Sequence, residues 1–175
     1  MSDLGGELED ILLPSVKESF NEKFPSSHFK AILQSNTKLK SNIKISPESN
    51  YENLINLGNK SFAVGWYFPQ AFQGYDTYSQ RTRIKTLPDL KGANKCLSGG
   101  IDICAALIGV PELLISDENY APILCMSSYV HYDTRLVLLM KSYGPHLEFW
   151  CMSQMLTKDV TQVSEQWSGG LSIFI

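Results

Sequence analysis

Cys104, His131 and Asp133 are the residues of this chain whose types and spacing come nearest to a catalytic set. A cysteine acts as a nucleophile through its thiolate, which a helix N-terminus or a nearby imidazole stabilises, and a third group then orients the imidazole. Cys104 follows the Gly99-Gly100 turn at the start of a predicted helix, and His131 lies near the start of a predicted strand. The three residues therefore define one hypothesis, a cysteine hydrolase or acyltransferase.

The order of these residues resembles that in cysteine peptidases of the NlpC type, in which a cysteine opens a helix and a histidine opens a following strand. The resemblance implies Cys104 as the nucleophile and His131 as its base. Residues 103–106 read Ile-Cys-Ala-Ala, whereas those enzymes usually carry Asp-Cys followed by small or hydroxyl-bearing residues. The apolar neighbours Ile101 and Leu107 favour the alternative, a buried structural thiol. We therefore prefer a function without catalysis.

A second candidate is a stretch in which aromatic residues are followed by cations. Such a mixture binds single-stranded nucleic acid through stacking and phosphate contacts, or forms protein interfaces enriched in Tyr, Trp and Arg. The alternative is a core strand that runs into a solvated loop. We predict that this stretch binds a partner through Trp66, Phe68, Tyr75, Tyr78, Arg81, Arg83 and Lys85.

The sequence predicts neither a metal nor a small-molecule cofactor. The histidines at positions 28, 131 and 146 lack zinc-type spacing, and the four cysteines contain no CxxC pair. The segment Ser98-Gly99-Gly100 lacks the spacing and the lysine of a phosphate-binding loop, and no G-x-G-x-x-G follows a predicted strand.

The composition predicts a folded, soluble chain. Hydrophobic residues make up 43% and charged residues 19% of the 175 positions, far from the signature of disorder. The net charge of −3 argues against nucleic-acid binding by the domain as a whole. We expect no secretion signal and no transmembrane segment. Cysteines with no evident pairing predict free thiols and a reducing, intracellular, cytoplasmic location.

The N-terminal part of the chain is predicted to be an amphipathic helix. Apolar residues recur at three- and four-residue steps from Leu8 to Phe24, and Pro14 predicts a kink or a break. We divide the chain into an N-terminal helical arm, residues 1–25, and a single α+β domain, residues 26–175. The arm is expected to pack on its own domain or to dock onto a neighbouring subunit.

The next elements follow from alternating patterns and helix-start chemistry. Residues 29–33 and 39–45 predict two strands that are candidates for a hairpin. Ser46-Pro47-Glu48 has the chemistry of a helix start, and Gly58 is placed to end that helix. Residues 61–68 predict a strand with one strongly aromatic face, and Pro69 stops it.

The remaining chain is predicted to be rich in strands. Residues 70–95 are expected to form a loop with one short strand near 81–87. Residues 101–108 are expected to form a short buried helix, and a buried strand is the alternative. Residues 135–152 predict a hairpin covered on both faces, and residues 171–175 a final strand docked into a sheet. The pattern predicts an α+β fold: one domain with a mostly antiparallel β-sheet, an N-terminal amphipathic helix and two or three short helices.

This layout is similar to that of the small matrix proteins of plant-infecting rhabdoviruses. The shared features are chain size, an N-terminal arm, a strand pair, a helix after Ser46-Pro47, an aromatic strand at residues 62–68 and terminal antiparallel strands. The resemblance implies a viral structural protein that condenses a nucleocapsid, contacts membrane and glycoprotein, and resides in the virion and at the inner face of the host membrane.

The chain departs from animal rhabdovirus matrix proteins in lacking their lysine-rich N-terminus and Pro-Pro-x-Tyr motif. Its acidic balance also weakens attraction to RNA and to anionic membrane. We expect a non-enzymatic assembly protein that self-associates and binds a protein or nucleoprotein partner. Peripheral membrane contact belongs to the matrix hypothesis.

Overall fold

The computed structural model describes residues 3–34, 36–115, 121–153 and 166–175. Its helices are α1 (Leu4–Glu7), a π-helical turn (Leu8–Leu12), α2 (Leu13–Lys23), α3 (Tyr51–Gly58), α4 (Thr77–Ile84) and α5 (Gly100–Gly109). Its strands are β1 (Phe29–Leu33), β2 (Ile43–Ile45), β3 (Gly65–Phe68), β4 (Asn94–Leu97), β5 (Ile123–Cys125), β6 (Tyr129–His131), β7 (Leu136–Tyr143), β8 (His146–Ser153), β9 (Trp167–Ser168) and β10 (Leu171–Phe174). The predicted α+β class is confirmed.

The predicted hairpin is formed by β7 and β8. Its register places Leu136 opposite Ser153 and Tyr143 opposite His146, and Gly144 in the turn has a φ of +56°. All residues from Leu136 to Met140 are buried, so both faces of this part of β7 are covered, as predicted. The hairpin forms the middle of a sheet with the order β1-β8-β7-β5-β9, in which β1 and β9 run parallel to their neighbours.

Two smaller sheets complete the described fold. The predicted terminal strand is confirmed as β10, which lies between β3 and β4 and is antiparallel to both. The third sheet is the antiparallel pair β2–β6. The strands therefore form three sheets where the sequence predicted one, although most of the described pairings are antiparallel.

The predicted hairpin between residues 29–33 and 39–45 is wrong. β1 pairs with β8, and β2 pairs with β6. The connection between them contains left-handed backbone at Asn36 and Ser41, and Leu39 is buried in the core instead of continuing a strand. Each strand therefore takes a partner that lies far away in the sequence.

The predicted helix start at Ser46-Pro47-Glu48 is also wrong. Ser49 donates its N–H to the Ser46 carbonyl oxygen, and Ser46 Oγ donates to Glu48 Oε2 at 2.7 Å, so these residues form a turn. Asn50 then has left-handed backbone, with a φ of +59°, and α3 begins only at Tyr51. The predicted end of the helix at Gly58 is confirmed.

Residues 77–84 form α4, where the sequence predicted a loop with one short strand. Asp76 caps this helix by accepting a hydrogen bond of 2.6 Å from the Ser79 N–H. Its buried residues are Thr77, Gln80 and Ile84, two of which are polar. The spacing of apolar residues could not predict this helix, because most of the residues on its buried side are polar.

The N-terminal helix continues past Pro14 by means of the π-helical turn. Leu13 donates its N–H to the Leu8 carbonyl oxygen, and Pro14 enters the first turn of α2, where its missing N–H is tolerated. Val16 and Phe20 are fully buried, and α2 packs on α5. The described part of the predicted arm thus shares its apolar stripe with the core of the domain. Among the described helices, none is long and apolar enough to cross a membrane.

Candidate functional site

Cys104 lies on the second turn of α5 and is fully buried in the hydrophobic core. Burial raises the pKa of its thiol well above the usual range, and the nearby Asp102 adds to the effect. A thiol that stays protonated at neutral pH is a poor nucleophile. The position of Cys104 is that of a structural core residue.

His131, at the end of β6, has a partner at each ring nitrogen. Its Nδ1 accepts a hydrogen bond of 2.9 Å from the Asp133 N–H, and its Nε2 lies 3.1 Å from the Lys38 carbonyl oxygen. These partners assign the proton to Nε2. The imidazole therefore keeps no free nitrogen that could accept a proton from a thiol.

Asp133 is adjacent to His131 but directs its carboxylate to Arg135. The Asp133 Oδ2 atom lies 2.7 Å from Arg135 Nη2, and Asp133 Oδ1 lies 2.9 Å from Arg135 Nε. These bonds lower the pKa of Asp133 to about 2. The structure brings His131 and Asp133 together in a turn and gives both of them partners other than a thiol. The burial of Cys104 and the partners of His131 and Asp133 therefore give no support to the cysteine hydrolase hypothesis.

The aromatic residues around β3 lie on the solvent side of their sheet. The exposed fractions are 95% for Phe62, 64% for Val64, 62% for Trp66 and 46% for Phe68. We call these four residues the aromatic face. The register sets Leu171 beside Phe68 and Ile173 beside Trp66, so the apolar surface continues onto β10.

The opposite side of the same sheet faces the core. Tyr67, Ser172 and Cys96 are aligned across β3, β10 and β4, and Phe174 lies next to them on β10. Ser172, Cys96 and Phe174 are buried. The predicted aromatic face of the strand is therefore present, and it is the face left open to solvent.

The predicted cations on α4 divide between the interior and the surface. Arg81 donates from Nε to the Ser127 carbonyl oxygen at 2.8 Å and from Nη2 to the Tyr129 carbonyl oxygen at 3.1 Å. Burial lowers the pKa of Arg81. These bonds tie α4 to the start of β6 and to the segment before it, so Arg81 has a structural role.

The other predicted residues of this stretch are nearer the surface. Arg83 stacks on the ring of Tyr75 at 3.7 Å from its centroid, while Tyr78 is 75% exposed and Lys85 is exposed. The predicted binding set thus separates into β3 residues on an apolar surface and α4 residues with mixed roles.

Asp102 forms a hydrogen-bond network that the sequence analysis did not assign. Its Oδ1 accepts from Tyr51 Oη at 2.9 Å and from the Gly99 N–H at 2.8 Å, and its Oδ2 accepts from Ser172 Oγ at 2.6 Å. Burial raises the pKa of Asp102, and the three donors partly offset this effect. An acidic residue three positions after Gly99 is a helix-start signal, but Tyr51 and Ser172 have no local signature.

A groove of about 310 Å³ lies between β3 and α5 and reaches the Asp102 network. Its walls are mainly apolar and include Leu54, Trp66, Ile101 and Ile173. Both oxygens of Asp102 already accept hydrogen bonds, so the carboxylate serves the fold and is not free to act as a base.

Among the described residues, no three His, Cys, Asp or Glu side chains are grouped to hold a metal ion. Comparison with known proteins finds no family model, no curated protein and no solved structure that matches this chain. The aromatic face on β3 is thus the candidate site, and it has the character of a binding surface.

Proposed function

We propose that this chain is a non-enzymatic assembly protein that associates with itself through β3 and the aromatic face. The observation that carries the proposal is the exposure of Phe62 and Val64 just before β3, and of Trp66 and Phe68 on β3, the outer strand of a described sheet. Contiguous apolar surface of this kind usually marks an interaction site, and an open sheet edge is a template for pairing.

The lack of charge near β3 supports this proposal. Residues 61–69 contain no Asp, Glu, Lys or Arg. Proteins commonly protect exposed sheet edges with charged side chains, prolines or bulges, and β3 has none of these within Gly65–Phe68.

The opposite edge of the same sheet is protected. β4 carries Lys95, and its Leu97 donates an N–H to the Ser49 carbonyl oxygen at 3.0 Å. The contrast between β4 and β3 favours a role for the open edge over incidental exposure.

The proposal also includes a protein or nucleoprotein partner, which the resemblance to rhabdovirus matrix proteins implies. The cationic contribution of α4 to a nucleoprotein contact is reduced, because Arg81 is bound to backbone carbonyl oxygens. Exposed Arg83 and Lys85 remain available for such a contact, within a chain of net charge −3. Self-association is therefore the best-supported part of the proposal.

Sedimentation velocity over a range of protein and salt concentrations tests self-association. We expect the wild-type protein to form larger species as its concentration rises, with little weakening by salt, because apolar contacts are not screened. Replacing Trp66 and Phe68 together by Ser should shift the population to monomer. Tyr132→Ser is the control, since Tyr132 is 84% exposed in the turn after β6.

A wild-type protein that stays monomeric throughout these ranges would overturn the proposal. Equal association by the double variant and the wild type would also overturn it, because the aromatic face would then not be the contact. Far-UV circular dichroism establishes that each variant is folded.

A further inference from the structure

We propose that β3 pairs in antiparallel fashion with β3 of a second copy, about a two-fold axis at Trp66. This inference rests on the proposed self-association and specifies its geometry. It joins two three-stranded sheets into one continuous sheet across the axis.

Among the described strands, β3 pairs with β10 alone, so the backbone groups of β3 that point away from β10 have no strand partner there. Val64 and Ile175 exchange two bonds: Val64 N–H donates to Ile175 O at 3.5 Å, and Ile175 N–H donates to Val64 O at 3.0 Å. In an antiparallel pair, residues that form such bonds alternate with residues that do not. Hence Trp66 directs its backbone groups towards β10, and Gly65 and Tyr67 direct theirs towards the open edge.

A register centred on Trp66 pairs these free groups with each other. Gly65 lies opposite Tyr67 of the second copy, so the N–H of each donates to the carbonyl oxygen of the other. The two-fold axis repeats this exchange on its other side. Every outward backbone group of Gly65 and Tyr67 is then satisfied.

Within Gly65–Phe68, the neighbouring registers pair fewer of the outward backbone groups with each other. Centring the pair on Tyr67 would set Gly65 opposite Pro69, which has no N–H to donate. Centring it on Gly65 would pair only the two Gly65 residues within β3 and would set Tyr67 opposite Ala63, which lies before Gly65–Phe68. The limits of β3 therefore select Trp66 as the centre.

The side chains suit a second copy as the occupant of this edge. Trp66 faces Trp66 of the second copy in a position where side chains approach closely, and Val64 lies opposite Phe68. Since residues 61–69 are uncharged, the symmetry brings no like charges together. A self-complementary patch of this kind forms a closed, two-fold dimer.

Introduced cysteines test the register directly. Cα atoms in a pair of this class are about 4.5 Å apart, within the range that a disulfide spans. Under mild air oxidation, we expect Trp66→Cys to form a disulfide-linked dimer by itself. Val64→Cys and Phe68→Cys should crosslink efficiently when mixed, but neither should do so alone. Tyr132→Cys, in the turn after β6, is the exposed control that should not crosslink, and the four native cysteines are buried.

Charge substitution provides an independent test at the axis. Trp66→Lys and Trp66→Glu should each be monomeric, because symmetry places like charges opposite one another. An equimolar mixture should recover a heterodimer in sedimentation velocity, and high salt should weaken that heterodimer.

The outcomes separate this inference from the proposed function. Self-association that depends on Trp66 and Phe68, without the predicted crosslinks or the recovered heterodimer, would overturn the two-fold pairing and leave the assembly proposal standing. Efficient crosslinking of Val64→Cys alone would likewise overturn the register. A monomeric wild-type protein would overturn both, and would direct attention to a foreign strand as the partner of this edge.

Discussion

Tyr51 donates a hydrogen bond of 2.9 Å from its hydroxyl group to Oδ1 of Asp102. The same hydroxyl oxygen accepts a bond of 3.1 Å from the Ile101 N–H, and Ser172 Oγ binds the other carboxylate oxygen. One carboxylate thus connects α3, α5 and β10. Because β10 is the strand on which β3 is docked, this network also supports the proposed assembly surface.

Replacing Tyr51 by Phe should destabilise the fold. The change removes one donor to Asp102 and leaves the part-buried Ile101 N–H without its acceptor, which costs about 1–3 kcal/mol. Urea unfolding measures the loss. Tyr132→Phe is the matched control, since this exposed residue should change the free energy of unfolding by less than about 0.5 kcal/mol. Equal stability of the two variants would show that the Tyr51–Asp102 bond has no net effect.

The ionisation of Asp102 should make the fold less stable as pH rises. Because burial raises its pKa in the folded state, the folded protein holds a proton that the unfolded chain releases near pH 3.9. This stabilisation is complete below that pH and is lost as pH rises through the folded pKa. In urea unfolding from pH 3 upwards, Asp102→Asn should lack this decline.

Asp133→Asn is the control, because the pKa of Asp133 is lowered by folding and its effect on stability changes with pH in the opposite direction. The pKa of Asp133 is lowered to about 2 by its bonds to Arg135, so its contribution is present above the unfolded value and disappears as pH falls towards 2. If the wild type and Asp102→Asn have the same pH dependence, the pKa of Asp102 is not raised by folding.

Adding a methyl group at Gly99 or Gly100 should disrupt the aromatic packing around α5. A Cβ atom at Gly99 would lie 2.7 Å from Cζ of Tyr51, and one at Gly100 would lie 2.7 Å from Cε2 of Tyr129. We expect Gly→Ala at either position to cost about 1–3 kcal/mol by thermal or urea unfolding. Gly109→Ala, at the other end of α5 with open space around it, should be neutral or slightly stabilising. A neutral effect at all three positions would contradict this close packing.

Arg81→Lys should destabilise the protein, whereas Arg83→Lys should not. Lysine keeps the charge but cannot reproduce the two directed bonds to Ser127 and Tyr129 carbonyl oxygens, a loss of about 1–3 kcal/mol. Arg83 is exposed and contacts Tyr75 by stacking. Chemical unfolding of the two variants measures the difference. If Arg83→Lys were the more destabilising variant, the Arg81 bonds would contribute less to stability than the contact between Arg83 and Tyr75.

All four native thiols should react slowly in the folded protein. Cys96, Cys104, Cys125 and Cys151 are buried, and burial raises the pKa of each thiol. Labelling with a chromogenic disulfide at pH 7.5 should be rapid only after urea is added, while Tyr78→Cys supplies an exposed reference. Fast, selective modification of Cys104 in the native protein would revive the hydrolase hypothesis.

Local sequence signals located several elements correctly. The β7–β8 hairpin follows from two apolar runs around Gly144, and α5 follows from the apolar run after Gly100. Pairing partners were harder to predict, since β1 and β2 each pair with a strand from the second half of the chain. Long-range pairing depends on the whole fold and leaves little trace in neighbouring residues.

The candidate site was predictable in position but not in exposure. The alternation at Phe62, Val64, Trp66 and Phe68 identified one aromatic face, yet alternation alone does not state which face of a strand meets the core. The Asp102 network was harder still to predict from the sequence, because its side-chain partners lie 51 and 70 residues away.

The strand order β3-β10-β4 also has a kinetic consequence. The middle strand is synthesised after both of its neighbours, so this sheet cannot close while the earlier strands are leaving the ribosome. Pairing between segments so distant in sequence is slow to form. An ordered β3 edge is therefore expected to form late in folding, and the proposed self-association through it would wait until the domain around it has formed.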